Sequence, residues 1–292
     1  MDTTTEVVSV SVLIPWNNRD ELSATLSQNQ FWMEQSNSEV VIVNCGGDQS
    51  HLNELLLATD LPLRVRCLHI PTDHFNKSLA LNIGLHFSRA KAIFALDADV
   101  VLESNFISDA IGRIHQRAFV TVKEVRESNP LALFLQNRLT EILQAGALSS
   151  ITRGYSFEFT FHDGSSIRLE DTLSSTPSGT RSGVGLLLGS RDDLIYVGGY
   201  HSELEHWGWE DDDIQFRLKR VLGLNHFEMG SAFHLTHGDE RRNLGGKTIN
   251  LSVQTNFYAC CERYAREDFR GSYVKDIKTW GYKVLESIYP IP

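Results

Sequence analysis

Apolar and polar positions alternate along the first 122 residues with two distinct periods. Short continuous apolar runs, typical of strands buried on both faces, lie at 7–14, 39–43, 65–70, 92–96 and 119–122. Amphipathic segments that predict helices lie between them, at 19–34, 52–58, 76–89 and 106–115. Strands that alternate with helices indicate an α/β fold, with a mostly parallel central sheet flanked by helices.

Polar residues gather where two of the predicted strands end. The segment Pro15 to Arg19 follows the first strand, and Asp97-Ala98-Asp99 follows the fourth. Parallel strands bring their carboxyl ends to one edge of a sheet, and α/β proteins bind ligands beyond that edge. The pattern therefore predicts a ligand site there.

The segment after the fifth strand is less regular. A helix is predicted at 131–143, a hairpin at 155–167 around His162-Asp163-Gly164, and a loop at 173–183. We interpret the chain as one domain with four parts: a first half at 7–122, a variable insertion at 123–182, a second half at 183–250, and a C-terminal helical extension at 251–292.

Charge and composition narrow the classes of partner. The net charge of −10 argues against nucleic acid, whose binding needs a basic face. An acidic site can hold a pyrophosphate only when a divalent cation lies between the negative groups. The chain has no apolar run of about 18 residues, no secretory signal at its start, and four cysteines without C-x-x-C spacing. These features predict a cytoplasmic protein with no transmembrane segment.

The pair Asp97 and Asp99 has two readings. Two carboxylates on one tight turn can hold a hard cation and a ribose hydroxyl together. The alternative is a purely structural role, as a solvated acidic loop that caps the following helix. An Asp-x-Asp alone is a weak signal.

The segment His206 to Ile214, His-Trp-Gly-Trp-Glu-Asp-Asp-Asp-Ile, is more informative. Acidic residues in the first turn of a helix complement its dipole, which accounts for one or two of the four acids. It does not account for Trp207 and Trp209 beside them. Aromatic faces next to carboxylates are suited to gripping a sugar, and one carboxylate could act as a general base.

Two histidines, His234 and His237, follow an apolar stretch, and either a structural role or metal ligation fits them. The nearby Gly245-Gly246-Lys247-Thr248 imitates the end of a phosphate-binding P-loop. That motif needs its first glycine where this chain has Arg241, so we reject it.

Taken together, these segments resemble the inverting glycosyltransferases of the GT-A fold, most closely family 2. The C-terminal half is similar to β-1,4-galactosyltransferases and chondroitin-polymerase-like domains. Three further pieces support the resemblance: the Pro-x-x-Asn-Arg end of the first strand, the Phe-Asn-x helix start at 75–77 with Asn82-x-Gly84, and Gly198-Gly199-Tyr200 ahead of the tryptophan motif.

The resemblance implies that 7–122 is the nucleotide-binding half and that 183–250 is the acceptor and metal half. It also implies roles for individual residues. Asp211 would be the catalytic base, and Asp99 and His237 would bind Mn²⁺ (or Mg²⁺), with His234 as a candidate behind them. Contacts to the donor nucleotide would come from Pro15, Trp16, Asn17, Arg19, Asn44, Lys77, Asp97 and Ala98. Contacts to the sugars would come from Trp207, Gly208, Trp209, Glu210 and Asp212.

Two positions depart from the family pattern. His206 stands where the tryptophan motif has its first glycine, and Asn44-Cys45-Gly46-Gly47 stands where family 2 members carry Asp-Asp-Gly-Ser. The predicted activity is transfer of a hexose or N-acetylhexosamine from a UDP-sugar to a hydroxyl of a saccharide or other acceptor, with inversion. A retaining GT-A enzyme and a non-catalytic sugar-binding module are the alternatives, and a homodimer is left open.

Overall fold

The computed structural model describes residues 8–59, 64–103, 106–129, 155–171, 180–237 and 245–289. The strands are β1 Val10–Trp16, β2 Ser38–Cys45, β3 Val65–Ile70, β4 Ala92–Ala95, β5 Val100–Leu102, β6 Ala118–Glu127, β7 Tyr155–Thr160, β8 Ser166–Asp171, β9 Thr180–Ser190, β10 Asn225–His234 and β11 Leu285–Tyr289. The α-helices are α1 Leu22–Gln35, α2 Gln49–Ala58, α3 Lys77–Phe87, α4 Phe106–Ile114, α5 Arg191–Tyr196, α6 Glu210–Leu222, α7 Ile249–Ala265 and α8 Tyr273–Trp280, and a 3₁₀ turn spans Gly281–Lys283.

The central sheet has nine strands in the order β11-β3-β2-β1-β4-β9-β6-β10-β5. Strands β3, β2, β1 and β4 pair in parallel, as do β6 and β10. The other four junctions are antiparallel. The predicted α/β class is confirmed, but the sheet is mixed rather than mostly parallel. In its second half, β9 runs antiparallel to both β4 and β6, and β5 runs antiparallel to β10.

Two apolar layers cover the two faces of the sheet. Along β1, Val12 and Ile14 point into one layer with Leu26 of α1, while Leu13 points into the other with Ile83 of α3. Each of these side chains is essentially inaccessible to solvent. Burying such a side chain contributes about 1.5–3 kcal/mol, so the layers fix the strand ends that carry the polar residues.

A third apolar cluster joins the predicted hairpin to the second half of the domain. Strands β7 and β8 form that hairpin, which is confirmed. Phe161 at its tip packs with Phe216 of α6 and Tyr264 of α7. The helix predicted at 131–143 lies outside the described residues.

The end of the chain differs from the predicted helical extension. Helices α7 and α8 are present, but the last described strand, β11, pairs antiparallel with β3 at the edge of the main sheet. The ion pair between Arg66 Nε and Glu286 Oε1, at 2.6 Å, helps to fix it there. The edge backbone of β3 needs hydrogen-bond partners, and β11 supplies them. In the residues that the structure describes, no helix is both long and apolar enough to span a membrane.

Candidate active site

The turn Asp97–Asp99 connects β4 to β5 and is held by two polar side chains of α1. Thr25 Oγ1 donates a hydrogen bond to the carbonyl of Ala98 at 2.9 Å, and Asn29 Nδ2 donates to the carbonyl of Val100 at 2.8 Å. Both side chains are fully buried. Helix α1 therefore sets the path of the turn, and the two carboxylates project from a fixed backbone.

Strand pairing brings two histidines to the second of these carboxylates. Strand β10 runs antiparallel to β5 with His234 opposite Val100, and the amide of Leu235 donates to the carbonyl of Asp99. His237 Nε2 lies 3.1 Å from Asp99 Oδ2, and His234 Nε2 lies 3.7 Å from the same atom. One ligand atom from each of the three residues falls within 4.8 Å of the others.

A further carboxylate orients the buried histidine of this cluster. Glu127 Oε2 lies 2.8 Å from His234 Nδ1 and accepts a 3.0 Å hydrogen bond from Thr236 Oγ1. With Nδ1 engaged, Nε2 of His234 is directed at Asp99. This carboxylate–histidine arrangement is the usual support behind a metal-ligating imidazole. His234 thus lies in the cluster itself, beside His237, rather than behind it.

Asp99 and His234 form a strongly interacting charged pair in this cluster. Burial acts to raise the pKa of Asp99, but hydrogen bonds from His234 and His237 hold it well below the usual range. Burial acts to lower the pKa of His234, and its contacts with Asp99 and Glu127 outweigh this and raise it to about 9. One carboxylate and two imidazoles suit Mn²⁺ better than Mg²⁺, which prefers oxygen ligands. The residues present therefore fit the divalent ion that the sequence predicts.

The first carboxylate of the turn belongs to a different cluster. Lys77, the first residue of α3, places its Nζ 3.0 Å from Asp97 Oδ1 and 2.9 Å from Asp211 Oδ2. Asn76 caps the helix by accepting the amide of Leu79, which fixes where Lys77 stands. The ammonium group thus joins the Asp-x-Asp turn to the acidic start of α6.

The four acids that begin α6 fall into different environments. Glu210 and Asp213 are buried, Asp211 is partly buried and Asp212 is exposed. Burial and the charge of Asp211 raise the pKa of Glu210 to about 8. Burial also raises the pKa of Asp211, although Lys77 opposes this. Asp213 accepts two hydrogen bonds from Arg217, at 2.9 and 2.7 Å.

The loop in front of these acids has an unusual backbone. Left-handed φ angles occur at His206 (66°), Gly208 (107°) and Trp209 (69°). A non-glycine residue in this region costs about 1–3 kcal/mol and persists only where its surroundings impose it. The family pattern has glycine at the first of these positions, and His206 adopts the conformation that favours glycine.

Helix α7 imposes this conformation. Asn256 Nδ2 donates to the carbonyls of Glu205 and Gly208, at 3.0 and 2.8 Å. Ser252 Oγ donates to the carbonyl of Trp207 at 2.8 Å. The ring of Trp209 packs on Phe257 of the same helix, with centroids 4.5 Å apart. Sequence reasoning missed Ser252 and Asn256, because their only signal is two small polar residues one helical turn apart.

Several predicted nucleotide contacts lie at the ends of β1 and β2. Trp16 is fully buried, and its Nε1 donates to the carbonyl of Arg19. Asn17 Nδ2 donates to the carbonyl of Cys45 at 2.8 Å. Asn44 is also buried, and its amide exchanges hydrogen bonds with the backbone of Gly47. These side chains shape the edge of the sheet, and their contact with a nucleotide stays a prediction.

The mixed α/β sheet, the Asp-x-Asp turn and the acidic helix start at one edge together define a glycosyltransferase of the GT-A type. The model of glycosyl transferase family 2 matches residues 11–168, more than half of the chain, so the chain belongs to that family. A second model, described as the N-terminal domain of galactosyltransferase, matches residues 167–237.

The chain is also similar to a solved structure, the crystal structure of GalNAc-T7 with UDP, GalNAc and Mn²⁺. The TM-score is 0.54 at 16% sequence identity, and the match covers 88% of this chain and 48% of that one. The chain thus spans about half the length of that protein, and the likeness concerns the fold. No curated protein sequence matches the chain.

Proposed function

We propose that this protein is an inverting glycosyltransferase that transfers a hexose or N-acetylhexosamine from a UDP-sugar to an acceptor hydroxyl, with a divalent metal ion. The observation that carries the proposal is the state of Asp211. One carboxylate oxygen is paired with Lys77, while the other, Oδ1, is buried without a hydrogen-bond partner among the described residues. A buried carboxylate oxygen without a partner is costly, and an incoming hydroxyl would satisfy it.

The proposed reaction is a single displacement. The acceptor O–H bond breaks as its proton passes to Asp211, and the acceptor oxygen forms a bond to the anomeric carbon. The bond between that carbon and the phosphate oxygen breaks on the opposite face, and its electron pair leaves with UDP. Attack from the face opposite to the leaving group inverts the anomeric configuration.

The metal would be held by Asp99, His234 and His237. When bound, it supplies Lewis-acid stabilisation of the diphosphate that leaves. Two comparisons support the proposal: the family 2 match supports sugar transfer, and the structurally similar protein that was crystallised with UDP and Mn²⁺ supports the choice of donor and metal. In a chain of net charge −10, a cation at this edge would also offset repulsion of the donor phosphates.

The residues around the acid cluster would bind the sugars. Trp207, whose side chain is partly exposed, would stack on a sugar face, and Glu210 would hydrogen-bond a sugar hydroxyl. At neutral pH the raised pKa of Glu210 favours its protonated form, so it would donate a hydrogen bond rather than act as base. Asp97 and Arg19 would contact the ribose and phosphates.

The test is turnover of a panel of nucleotide sugars with Mn²⁺, with water as the first acceptor. We expect hydrolysis of at least one UDP-sugar, loss of turnover with excess chelator, and recovery with Mn²⁺ better than with Mg²⁺. The first anomer of the released sugar, followed by proton NMR, should be opposite to that of the donor. Release with the same configuration would support a retaining enzyme, and donor binding without any turnover would support a sugar-binding module.

A further inference from the structure

The contact between Lys77 and Asp211 has a geometry that a phosphate-binding lysine would not need. Lys77 Nζ lies within 3.0 Å of one carboxylate oxygen from each of Asp97 and Asp211. The side chain is only 16% exposed, so both ion pairs are shielded from solvent. Burial alone would lower the pKa of Lys77, but the charges of Asp211 and Asp97 raise it well above its usual value. The ammonium is fixed in its charged form by two carboxylates.

The two carboxylates more than balance the charge of Lys77 and leave the three groups with a net charge of −1. Drawing the ammonium towards a diphosphate would leave two negative groups facing each other in a partly buried site. The cost of separating such a pair is several-fold that of an exposed one. The structure therefore favours a role for Lys77 at Asp211 over the phosphate contact that the family resemblance implies.

The room for this ion pair comes from one glycine on the neighbouring strand. A Cβ atom at Gly185 of β9 would lie 2.5 Å from Asp211 Oδ2 and 3.0 Å from Lys77 Nζ. Atoms that do not bond cannot approach so closely, so any side chain there would displace the pair. The backbone of Gly185 has no positive φ, and space rather than conformational freedom requires the glycine.

The two oxygens of Asp211 consequently differ. Oδ2 accepts the hydrogen bond from Lys77, and Oδ1 is buried with no hydrogen-bond partner in the described parts of the chain. A carboxylate held at one oxygen cannot rotate freely to exchange the two atoms. The free oxygen is thus fixed in direction.

We propose that Lys77 is a positioning residue for the general base: it holds Oδ2 of Asp211, so that Oδ1 takes the proton of the acceptor hydroxyl, and Gly185 makes room for this arrangement. The proposal rests on the proposed function, in which Asp211 is the base. It assigns Lys77 to catalysis through Asp211 rather than to binding of the nucleotide.

The charged groups that face Asp211 set the expected pH dependence. They are Lys77 of α3, Asp97 of the turn, Arg181 of β9, the hydroxyl of Tyr200, and Glu210 and Asp212 of its own helix. Lys77 is the nearest cation, and an opposite charge at such a distance lowers the pKa of a carboxyl by about 1–3 units. Removing it should raise the pKa of the base.

The experiment compares Lys77→Met and Lys77→Arg with the unaltered protein. Hydrolysis of the UDP-sugar that gives the highest rate in the panel is followed against pH, and binding of UDP with Mn²⁺ is measured by calorimetry. For Lys77→Met we expect kcat to fall about 100-fold. The acidic limb of kcat should move up by about one pH unit or more, while UDP affinity changes less than about threefold. Lys77→Arg should restore the position of the acidic limb.

Gly185→Ala and Gly189→Ala form a matched pair on β9. The nearest atoms to a Cβ at Gly189 would belong to the side chains of Leu187, at 3.3 Å, and Leu194, at 3.8 Å. We expect Gly185→Ala to lower kcat as Lys77→Met does, and Gly189→Ala to leave it within about twofold. If Gly185→Ala does not fold, the two Lys77 variants still decide.

The inference would be overturned if Lys77→Met lost UDP affinity and had a raised KM for the donor, while its kcat and the pH profile of kcat stayed unchanged. Asp211→Asn distinguishes this from failure of the proposed function. If Asp211→Asn keeps full turnover, Asp211 is not the base and the proposed function fails. If Asp211→Asn is inactive while Lys77→Met turns over normally, only the role of Lys77 is wrong.

Discussion

Asp211 and Asp213 lie two residues apart in the first turn of α6, yet they differ in solvent exposure and in hydrogen-bond partners. Asp213 is inaccessible to solvent and both of its oxygens have partners: Arg217 at Oδ2 and the hydroxyl of Tyr264 at Oδ1. Asp211 faces the Asp-x-Asp turn, with one oxygen held by Lys77 and the other free of hydrogen bonds from described residues. The helix turns one carboxylate into the protein and the other towards the candidate site.

The pKa values of the two groups move in opposite directions. Burial acts to raise both, but Arg217 with its hydrogen bonds outweighs burial at Asp213 and lowers its pKa. At Asp211 burial prevails over Lys77, and the pKa is raised. A fully paired carboxylate supports the fold, whereas a carboxylate with a free oxygen and a raised pKa marks a functional site. An acidic run in a sequence does not reveal which is which.

The largest expected effect is on stability, at Asp213. The Asp213→Asn substitution should lower the free energy of unfolding by about 3–5 kcal/mol, because it leaves Arg217 as an uncompensated buried charge. Chemical denaturation measures this. Asp212→Asn, at an exposed position of the same turn, is the control and should change stability by less than about 0.5 kcal/mol. Equal effects at the two positions would break the distinction between the paired and the exposed acids.

The next effect is on turnover, at Asp211. Asp211→Asn should lower kcat about 100-fold or more, equivalent to about 2.7 kcal/mol of transition-state stabilisation. Binding of UDP with Mn²⁺ and the unfolding midpoint should stay close to those of the unaltered protein. If the substitution instead destabilises the fold as Asp213→Asn does, the two carboxylates share a structural role and the comparison fails.

A similar contrast exists between Asp99 and Glu127. Asp99 belongs to the candidate metal cluster, whereas Glu127 orients one of its histidines. Glu127 contacts His234 but lies outside the three-residue cluster, so Glu127→Gln should weaken Mn²⁺ affinity about 10–100-fold through the orientation of His234. Asp99→Ala should abolish detectable binding. Calorimetric titration with Mn²⁺ separates the two, and equal losses would place Glu127 among the ligands.

The smallest effect is the pH dependence that Asp213 contributes. Its folded-state pKa lies below the unfolded value of about 3.9, so its stabilisation is complete above that value and is lost as the pH falls through the folded pKa. The stability difference between the unaltered protein and Asp213→Asn should therefore be constant near neutral pH. Below about pH 4 it should shrink by at most about 1.4 kcal/mol per pH unit. A difference that grows in acid would contradict the lowered pKa.

Much of the first half of the fold could be predicted from the sequence. The apolar runs of β1 to β4 and the amphipathic α1 and α3 are local signals, and the strand ends located the Asp-x-Asp turn. The strand β11 could not be predicted, because its partner β3 is more than 200 residues away and only one of its own five side chains is buried. Pairing across such a distance depends on which sheet edge still lacks a partner strand. A local sequence pattern does not contain that information.

The candidate site shows the same limit. The motif residues themselves stood out, since tryptophans beside four acids and two histidines are unusual. Their pairings did not: Lys77 reaches Asp211 across 134 positions of the chain, and Glu127 reaches His234 across 107. The family resemblance implied a nucleotide contact for Lys77, and that contact stays a prediction. Its ion pairs with Asp97 and Asp211 are set by the fold.

The bracing of the tryptophan loop by α7 has a consequence for protein engineering. Both family models end at or before residue 237, while Ser252 and Asn256, which hold that loop by its carbonyls, lie beyond it. The loop and α7 are therefore separate in the sequence, but they have to be exchanged together. A chimera that imports a foreign tryptophan loop to change acceptor preference has to import the matching face of α7 with it, or the grafted backbone loses the hydrogen bonds that impose its left-handed residues.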